Sequence, residues 1–269
     1  MTFFGRKREL TQLKNLILSD GMLMSLIYGR RRIGKSELVK QAIKESGTKS
    51  IFYVCKQVTE ESNVQSMCEV LSDSLGLPKL GYTKVEEIVD YIFKLSKEES
   101  IVFVLDEYPY LRENVKGLDS IIQALVDKYR EDSKLKLIVL GSYVEVMKSL
   151  LKESNPLYGR TDLVIHLKQM DYYESALFYP NMTYEDKVRI YSVFGGVPYY
   201  NRLVDDKKSV KDNIIELVAS PGARLENEVS TYLNAEISKI VNENLGIRKI
   251  TLFLNENNIP TSYLTVIYR

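Results

Sequence analysis

Gly29-Arg30-Arg31-Arg32-Ile33-Gly34-Lys35-Ser36 places two glycines, a lysine and a hydroxyl at the spacing G-x-x-x-x-G-K-[ST]. Glycines at those positions let consecutive backbone N–H groups turn inward around an anion, which a Cβ would obstruct. A helix opening near Lys35 aims its positive N-terminal end at the same point. The stretch therefore reads as a loop that wraps phosphates. Its binding set is Gly29, Arg30, Arg31, Arg32, Ile33, Gly34, Lys35, Ser36 and Glu37. Lys35 is expected to reach the β- and γ-phosphates of a nucleotide, and the Ser36 hydroxyl to ligate Mg²⁺.

Three further stretches supply the partners such chemistry requires. Ile101 to Leu105 is an apolar run ending in Asp106 and Glu107. Beside the phosphate loop, Asp106 would hold the metal, usually through a water, and Glu107 would act as general base on an attacking water. Leu135 to Leu140 ends in Gly141-Ser142, where Ser142 reads equally as a group that senses the γ-phosphate or orients the water, or as the N-cap of a helix from Val144, and the two readings are compatible. Pro156-Leu157-Tyr158-Gly159-Arg160 precedes another apolar run. Arg160 there either stabilises transition-state charge, in a neighbouring subunit for example, or forms a salt bridge to a carboxylate such as Asp162.

The composition removes most competing chemistries. The 269 residues include one His and two Cys, with 37 Lys+Arg against 36 Asp+Glu. A lone His166 excludes His-rich zinc sites and weighs against a serine or cysteine triad. Cys55 and Cys68 fit no CxxC pattern, and a reducing compartment is the natural reading. A net charge of +1 supplies no global field for nucleic acid or membrane. No segment is long and apolar enough for a signal peptide or a span, so a cytoplasmic protein without membrane contact is expected.

Elements must hold these residues. Met24 to Tyr28, Ile51 to Val54, Ile101 to Leu105, Leu135 to Leu140 and Leu163 to Leu167 are apolar with little alternation, as strands covered on both faces are. Helical spacing falls between and before them, at Lys7 to Ser19, Lys35 to Ser46, Val64 to Leu75, Val85 to Lys97, Leu118 to Arg130 and Val144 to Lys152. The pattern predicts a three-layer α/β domain over residues 1–170 with five parallel strands. From residue 171 to 225 the strands stop. Tyr172 to Tyr179, Tyr184 to Phe194, Tyr199 to Val204 and Val210 to Val218 read as short helices of a lid, broken at Gly195-Gly196 and Pro198. Residues 226–269 read as a helix-turn-helix that stops inside its last helix, a partial winged helix.

In this order, Phe4-Gly5-Arg6-x-x-Glu9-Leu10, YGRRRIGKS, VLDEYPYL, PLYGR and GGVPYY resemble the archaeal-type ATPase family, within the STAND/AAA+ group of P-loop NTPases. The resemblance covers nearly the whole chain. It implies that Gly5 and Arg6 lie against adenine and ribose, that Pro198 of a GxP lid motif packs on the base, and that Arg160 stands where relatives carry an arginine finger. The chain's end inside the last helix departs from the family pattern of a complete winged helix followed by a further domain. Neither an N-K-x-D base-reading motif nor an L-S-G-G-Q stretch is present, which favours ATP over GTP and argues against an ABC subunit.

The expected function is binding and Mg²⁺-dependent hydrolysis of ATP, coupled to movement of lid and winged helix. ATP or ADP and Mg²⁺ are the expected cofactors, with a homo-oligomer or a protein effector as further partners. One alternative is a regulator that retains nucleotide without hydrolysis. Another is ATP-controlled DNA binding, which is not favoured because the last helix carries only Arg269 as a cation.

Overall fold

The computed structural model describes residues 3–78 and 80–228. The chain forms two compact units, Met1–Asp206 and Lys207–Arg269. The first begins with α1 (Lys7–Leu18), β1 (Leu23–Tyr28), α2 (Lys35–Ser46), β2 (Lys49–Val54), α3 (Glu60–Leu75) and α4 (Val85–Leu95). It continues through β3 (Ile101–Asp106), α5 (Tyr108–Asn114), α6 (Leu118–Tyr129), β4 (Lys136–Gly141), α7 (Val144–Ser149) and β5 (Leu163–His166). Three short helices follow, α8 (Tyr172–Ala176), α9 (Tyr184–Phe194) and α10 (Pro198–Asn201).

The five strands form one sheet in the order β2-β3-β4-β1-β5, with every neighbouring pair parallel. The absence of polar alternation has a direct cause. Every residue of β3 and β4 is buried, whereas the edge strands β2 and β5 each keep exposed positions. On β3, Ile101, Phe103 and Leu105 pack with Val64, Met67, Ile88, Ile92 and Ile122 of the helices on one face. Val102 and Val104 of the same strand pack with Leu13, Ile17, Leu38, Val39 and Ala42 of α1 and α2 on the other. Fully burying each such side chain contributes about 1.5–3 kcal/mol, and both faces of the sheet collect it.

All five strands stand where the apolar runs predict, and α2 and α9 have the expected bounds. Helix ends follow local chemistry. Thr59 and Thr183 cap α3 and α9 by accepting from the N–H groups of Ser62 and Asp186. The differences are also local. α7 ends at Ser149, short of Lys152, and the helix expected from Tyr199 is the four-residue α10, beginning at Pro198. α5 is absent from the sequence reading, because its seven residues are shorter than a periodicity can register.

In the second unit, α11 (Val210–Ile214) is capped by Ser209, whose side chain accepts from the Asp212 N–H, and passes into a π-helical turn at Ile215–Ala219. The helix expected over Val210 to Val218 therefore changes its hydrogen-bond step midway. The expected partial winged helix falls almost wholly outside the described residues. Among the described residues no helix is long and apolar enough to cross a membrane.

Candidate active site

The parallel sheet fixes where chemistry can occur. Tyr28 pairs with Gly141 across β1 and β4, and β3 ends at Asp106, so the segments after β1, β3 and β4 leave the sheet on one edge. Those segments carry Gly29 to Ser36, Glu107 and Ser142. Gly29 is needed for close approach, since a Cβ there would lie 2.2 Å from the Leu167 carbonyl oxygen. Ile33 is buried at 2% exposure in the α1/α2 side of the core and so anchors the loop from beneath.

The polar groups converge. The Ser36 hydroxyl donates to Asp106 Oδ2 at 2.6 Å, and the Glu107 N–H donates to Asp106 Oδ1 at 3.0 Å. Lys35 Nζ donates to the carbonyls of Gly29 at 2.9 Å and Arg30 at 3.1 Å. Burial lowers the Lys35 pKa, against the pull of Glu107 and Asp106. Burial raises that of Asp106, opposed by the Ser36 hydrogen bond and reinforced by the negative charge of Glu107. Glu107 sits in left-handed backbone (φ 55) at the start of α5. Its Oε2 accepts from the Ser142 N–H at 3.0 Å and from the Ser142 hydroxyl at 2.8 Å. Of the two readings of Ser142, the N-cap is not what forms: Tyr143 is the capping position of α7, without a side-chain cap bond.

A cavity of about 420 Å³ opens over this cluster. Lys35, Ser36, Glu37, Glu107 and Arg31 line one part of it, and Phe3, Phe4, Met170, Phe178 and Pro198 supply apolar wall. The Phe4 and Phe178 rings lie 4.6 Å apart. Arg6 also lines the cavity; it is 4% exposed, with φ 57, following Gly5 at φ 64. Its guanidinium donates to the Lys168 carbonyl through Nη2 and faces Glu9 at 3.6 Å, while Nε is buried without a hydrogen-bond partner. Burial lowers the Arg6 pKa, with Glu174 and Glu9 opposing.

The segment expected as a lid reaches the loop from Gly29 to Ser36. Pro198 Cγ lies 3.8 Å from where a Cβ of Gly34 would be, and Arg32 stacks over the Tyr199 ring at 4.6 Å. Gly196 explains the glycine of the GxP motif, because a Cβ there would meet the Met170 carbonyl oxygen at 1.8 Å. That contact is the close side of a backbone bond, Met170 N–H to Gly196 carbonyl, at 2.8 Å.

A family model of ATPase domains predominantly from Archaea matches residues 3–204. The chain belongs to that family. An uncharacterised protein of Methanocaldococcus jannaschii is 30% identical over 206 residues, which cover 74% of this chain and 43% of that protein. An uncharacterised ATP-binding protein of Pyrococcus horikoshii is 21% identical, covering 74% of this chain and 60% of the relative. The chain thus spans about half the length of these curated relatives. Among solved structures, a Walker-type ATPase of Pyrococcus abyssi superposes with a TM-score of 0.60 at 17% identity, covering 90% of this chain and 76% of that one. The ORC2 protein of Aeropyrum pernix superposes with a TM-score of 0.53 at 16% identity, covering 85% and 63%. These likenesses establish the P-loop ATPase fold.

The structure brings Arg6, Arg31, Arg32, Ile33, Gly34, Lys35, Ser36, Glu37, Glu107 and Pro198 to one cavity, with Asp106 and Ser142 bonded directly behind. Arg30 contributes its carbonyl to Lys35. Arg160 does not join them. Its guanidinium makes a fork to Asp127, both contacts at 2.8 Å, and also donates to the carbonyls of Pro156 and Tyr158. Asp162, the partner considered for it, instead accepts from the Met24 N–H and from Arg130. Sequence reasoning missed Phe3, Met170, Phe178, Tyr199 and Arg202 as cavity residues. Arg202 could have been found, as a cation one helical turn beyond Pro198; Met170 and Phe178 carry no local signal.

Proposed function

We propose that the first unit binds ATP and hydrolyses it to ADP and phosphate with Mg²⁺. The observation that carries this reading is the convergence of Lys35, the Ser36–Asp106 pair and the Ser142-held Glu107 beneath one cavity with an apolar wall. The donors suit Mg²⁺. A hydroxyl and a carboxylate oxygen lie 2.6 Å apart, and among the described residues no cluster of three His, Cys, Asp or Glu offers a full protein cage. Mg²⁺ keeps waters and substrate phosphates as its remaining ligands and neutralises phosphate charge.

The residues then divide the work. The phosphate loop's N–H groups and Lys35 hold the β- and γ-phosphates, and Ser36 and Asp106 hold the metal. Phe4, Phe178 and Pro198 offer flat apolar surface to the adenine base. Arg6, with an unpartnered buried Nε, faces the ribose side. Glu107 accepts a proton from the attacking water, and Ser142 keeps its carboxylate aimed. Arg32 on Tyr199 and Gly34 beneath Pro198 link the phosphate loop to the lid, so nucleotide occupancy biases lid position. Mg-ATP turnover by the purified chain, abolished in Glu107→Gln with ATP affinity retained, is the expected result. Unchanged turnover in that variant removes the catalytic assignment.

A further inference from the structure

The three consecutive arginines of the phosphate loop do different things. Arg30 gives its carbonyl to Lys35, and Arg32 stacks on Tyr199 of the lid segment. Arg31 turns to the side of Glu107. Its Nη2 donates to the Tyr110 hydroxyl at 2.5 Å, and its Cζ lies 5.9 Å from the centroid of Tyr143, near the outer limit of a cation–π contact. The two tyrosine rings meet edge-on, 5.7 Å apart at 75°.

Both supports belong to the hydrolytic machinery by covalent adjacency. Tyr110 lies in the first turn of α5, with its N–H donating to the Glu107 carbonyl at 3.0 Å. Tyr143 directly follows Ser142, which holds the Glu107 carboxylate. Whatever positions the general base therefore positions Arg31 too. Arg31 lines the cavity beside Lys35, Ser36 and Glu107, close enough that its charge opposes that of Lys35. Arg160 lines no part of that cavity and is forked onto Asp127.

We propose that Arg31 is the transition-state cation of this site, supplied in cis, with Tyr110 and Tyr143 as positioning residues. The proposal rests on the ATPase reading above. Water attacks the γ-phosphorus, forming a P–O bond. The bond from that phosphorus to the β–γ bridging oxygen breaks, and its electron pair leaves with ADP. Glu107 takes the water's proton and passes it to the phosphate released. Charge spreads over the γ-phosphoryl oxygens as this happens. A guanidinium stays protonated throughout, so Arg31 contributes charged hydrogen bonds and no proton.

The test uses the full chain and its Arg31→Ala, Arg31→Lys and Tyr110→Phe variants. Steady-state phosphate release, binding of a fluorescent ATP analogue, and trapping of ADP with aluminium fluoride are measured on each. Losing one preorganised donor to transition-state charge costs roughly 10²–10³ in kcat. Arg31→Ala is expected to show that loss, to keep ATP affinity within about threefold, and to stop trapping ADP with aluminium fluoride. Arg31→Lys, which keeps the charge but not the planar fork, falls between. Tyr110→Phe lowers kcat by about 3–10-fold with ATP affinity unchanged, since Arg31 keeps its charge and loses one exposed hydrogen bond of ordinary worth. Arg31→Ala with kcat within threefold of the parent, or with ATP binding lost in proportion to kcat, overturns the proposal. If Arg31→Ala does not fold, an unchanged kcat in Tyr110→Phe overturns it alone. The parent chain and Glu107→Gln separate the two levels: if the parent turns over and Glu107→Gln does not, only the Arg31 role falls, and if the parent itself releases no phosphate from Mg-ATP, the ATPase reading falls beneath it.

Discussion

Replacing Gly196 by alanine adds one methyl group at the tightest backbone approach near the site. Its Cβ would lie 1.8 Å from the Met170 carbonyl oxygen and 2.8 Å from the Met170 N and C atoms. All three are main-chain atoms, so no side chain can swing away, and the lid segment must move. The movement breaks the 2.8 Å bond from the Met170 N–H to the Gly196 carbonyl, worth about 1 kcal/mol. Overpacking adds about 1–3 kcal/mol. The sum is about 2–4 kcal/mol, which for a unit of this size lowers Tm by about 4–16 °C. Gly195→Ala is the internal control. Its Cβ would approach only Gln169 Oε1, at 3.4 Å, leaving chiefly the strain of φ 62 with ψ −161, about 1–3 kcal/mol. Thermal unfolding followed by circular dichroism, with ATP affinity measured at 20 °C, reads both variants. Gly196→Ala should unfold earlier than Gly195→Ala and bind ATP more weakly, because Pro198 is displaced from Gly34. An unchanged Tm and affinity in Gly196→Ala would refute the view that the GxP glycine is required by backbone approach.

Three further outcomes follow from the same geometry. Ser142→Ala removes the 2.8 Å hydroxyl bond to Glu107 Oε2 but keeps the backbone N–H bond, so kcat should fall about tenfold with ATP affinity unchanged, by the usual worth of a hydrogen bond to a charged group; phosphate release and nucleotide titration check both. The Arg160–Asp127 fork is partly exposed, with side chains 26% and 46% accessible, so Asp127→Ala should cost less than about 1 kcal/mol in denaturant unfolding, and Arg160→Ala should keep kcat within about threefold of the parent. His166 is the chain's single histidine, stacked on Tyr28 at 4.7 Å, and burial followed by the charges of Lys168 and Lys148 lowers its pKa below the ordinary 6.5. The unfolded chain then binds more protons in that window, so this residue's contribution to stability is present above 6.5 and lost as pH falls through the folded value. Its imidazole C2 proton gives one NMR titration, and a midpoint at or above the ordinary value would contradict the structure.

The elements that position the site were legible where burial dictates composition. A strand covered on both faces must be apolar at every step, which is why Ile101 to Leu105 and Leu135 to Leu140 announce themselves without alternation. That Lys35, Ser36 and Asp106 meet was legible, because the loop after one apolar run and the carboxylate ending another must leave a parallel sheet on the same edge. Contacts made at a distance were not. Nothing local marks Phe178 as a ring lying 4.6 Å from Phe4, or Asp127 as the partner of Arg160, since both depend on how helices and loops meet after folding. Ser142 shows the intermediate case. Its sequence context suits an N-cap as well as a contact in the cleft, and the direction of its hydroxyl, onto Glu107, is set only by how β3 and β4 lie side by side. The three arginines, similar in sequence, diverge in the same way once Tyr110 and Tyr199 are in place.

Single-turnover hydrolysis of Mg-ATP by the parent chain and by Glu107→Gln, each at saturating protein, tests the central claim most directly. The parent should release phosphate, and Glu107→Gln should bind ATP as tightly while cleaving it at least about 10²-fold more slowly, the lower range for loss of a positioned general base. Equal cleavage rates in the two proteins, or no cleavage by either, would contradict the account.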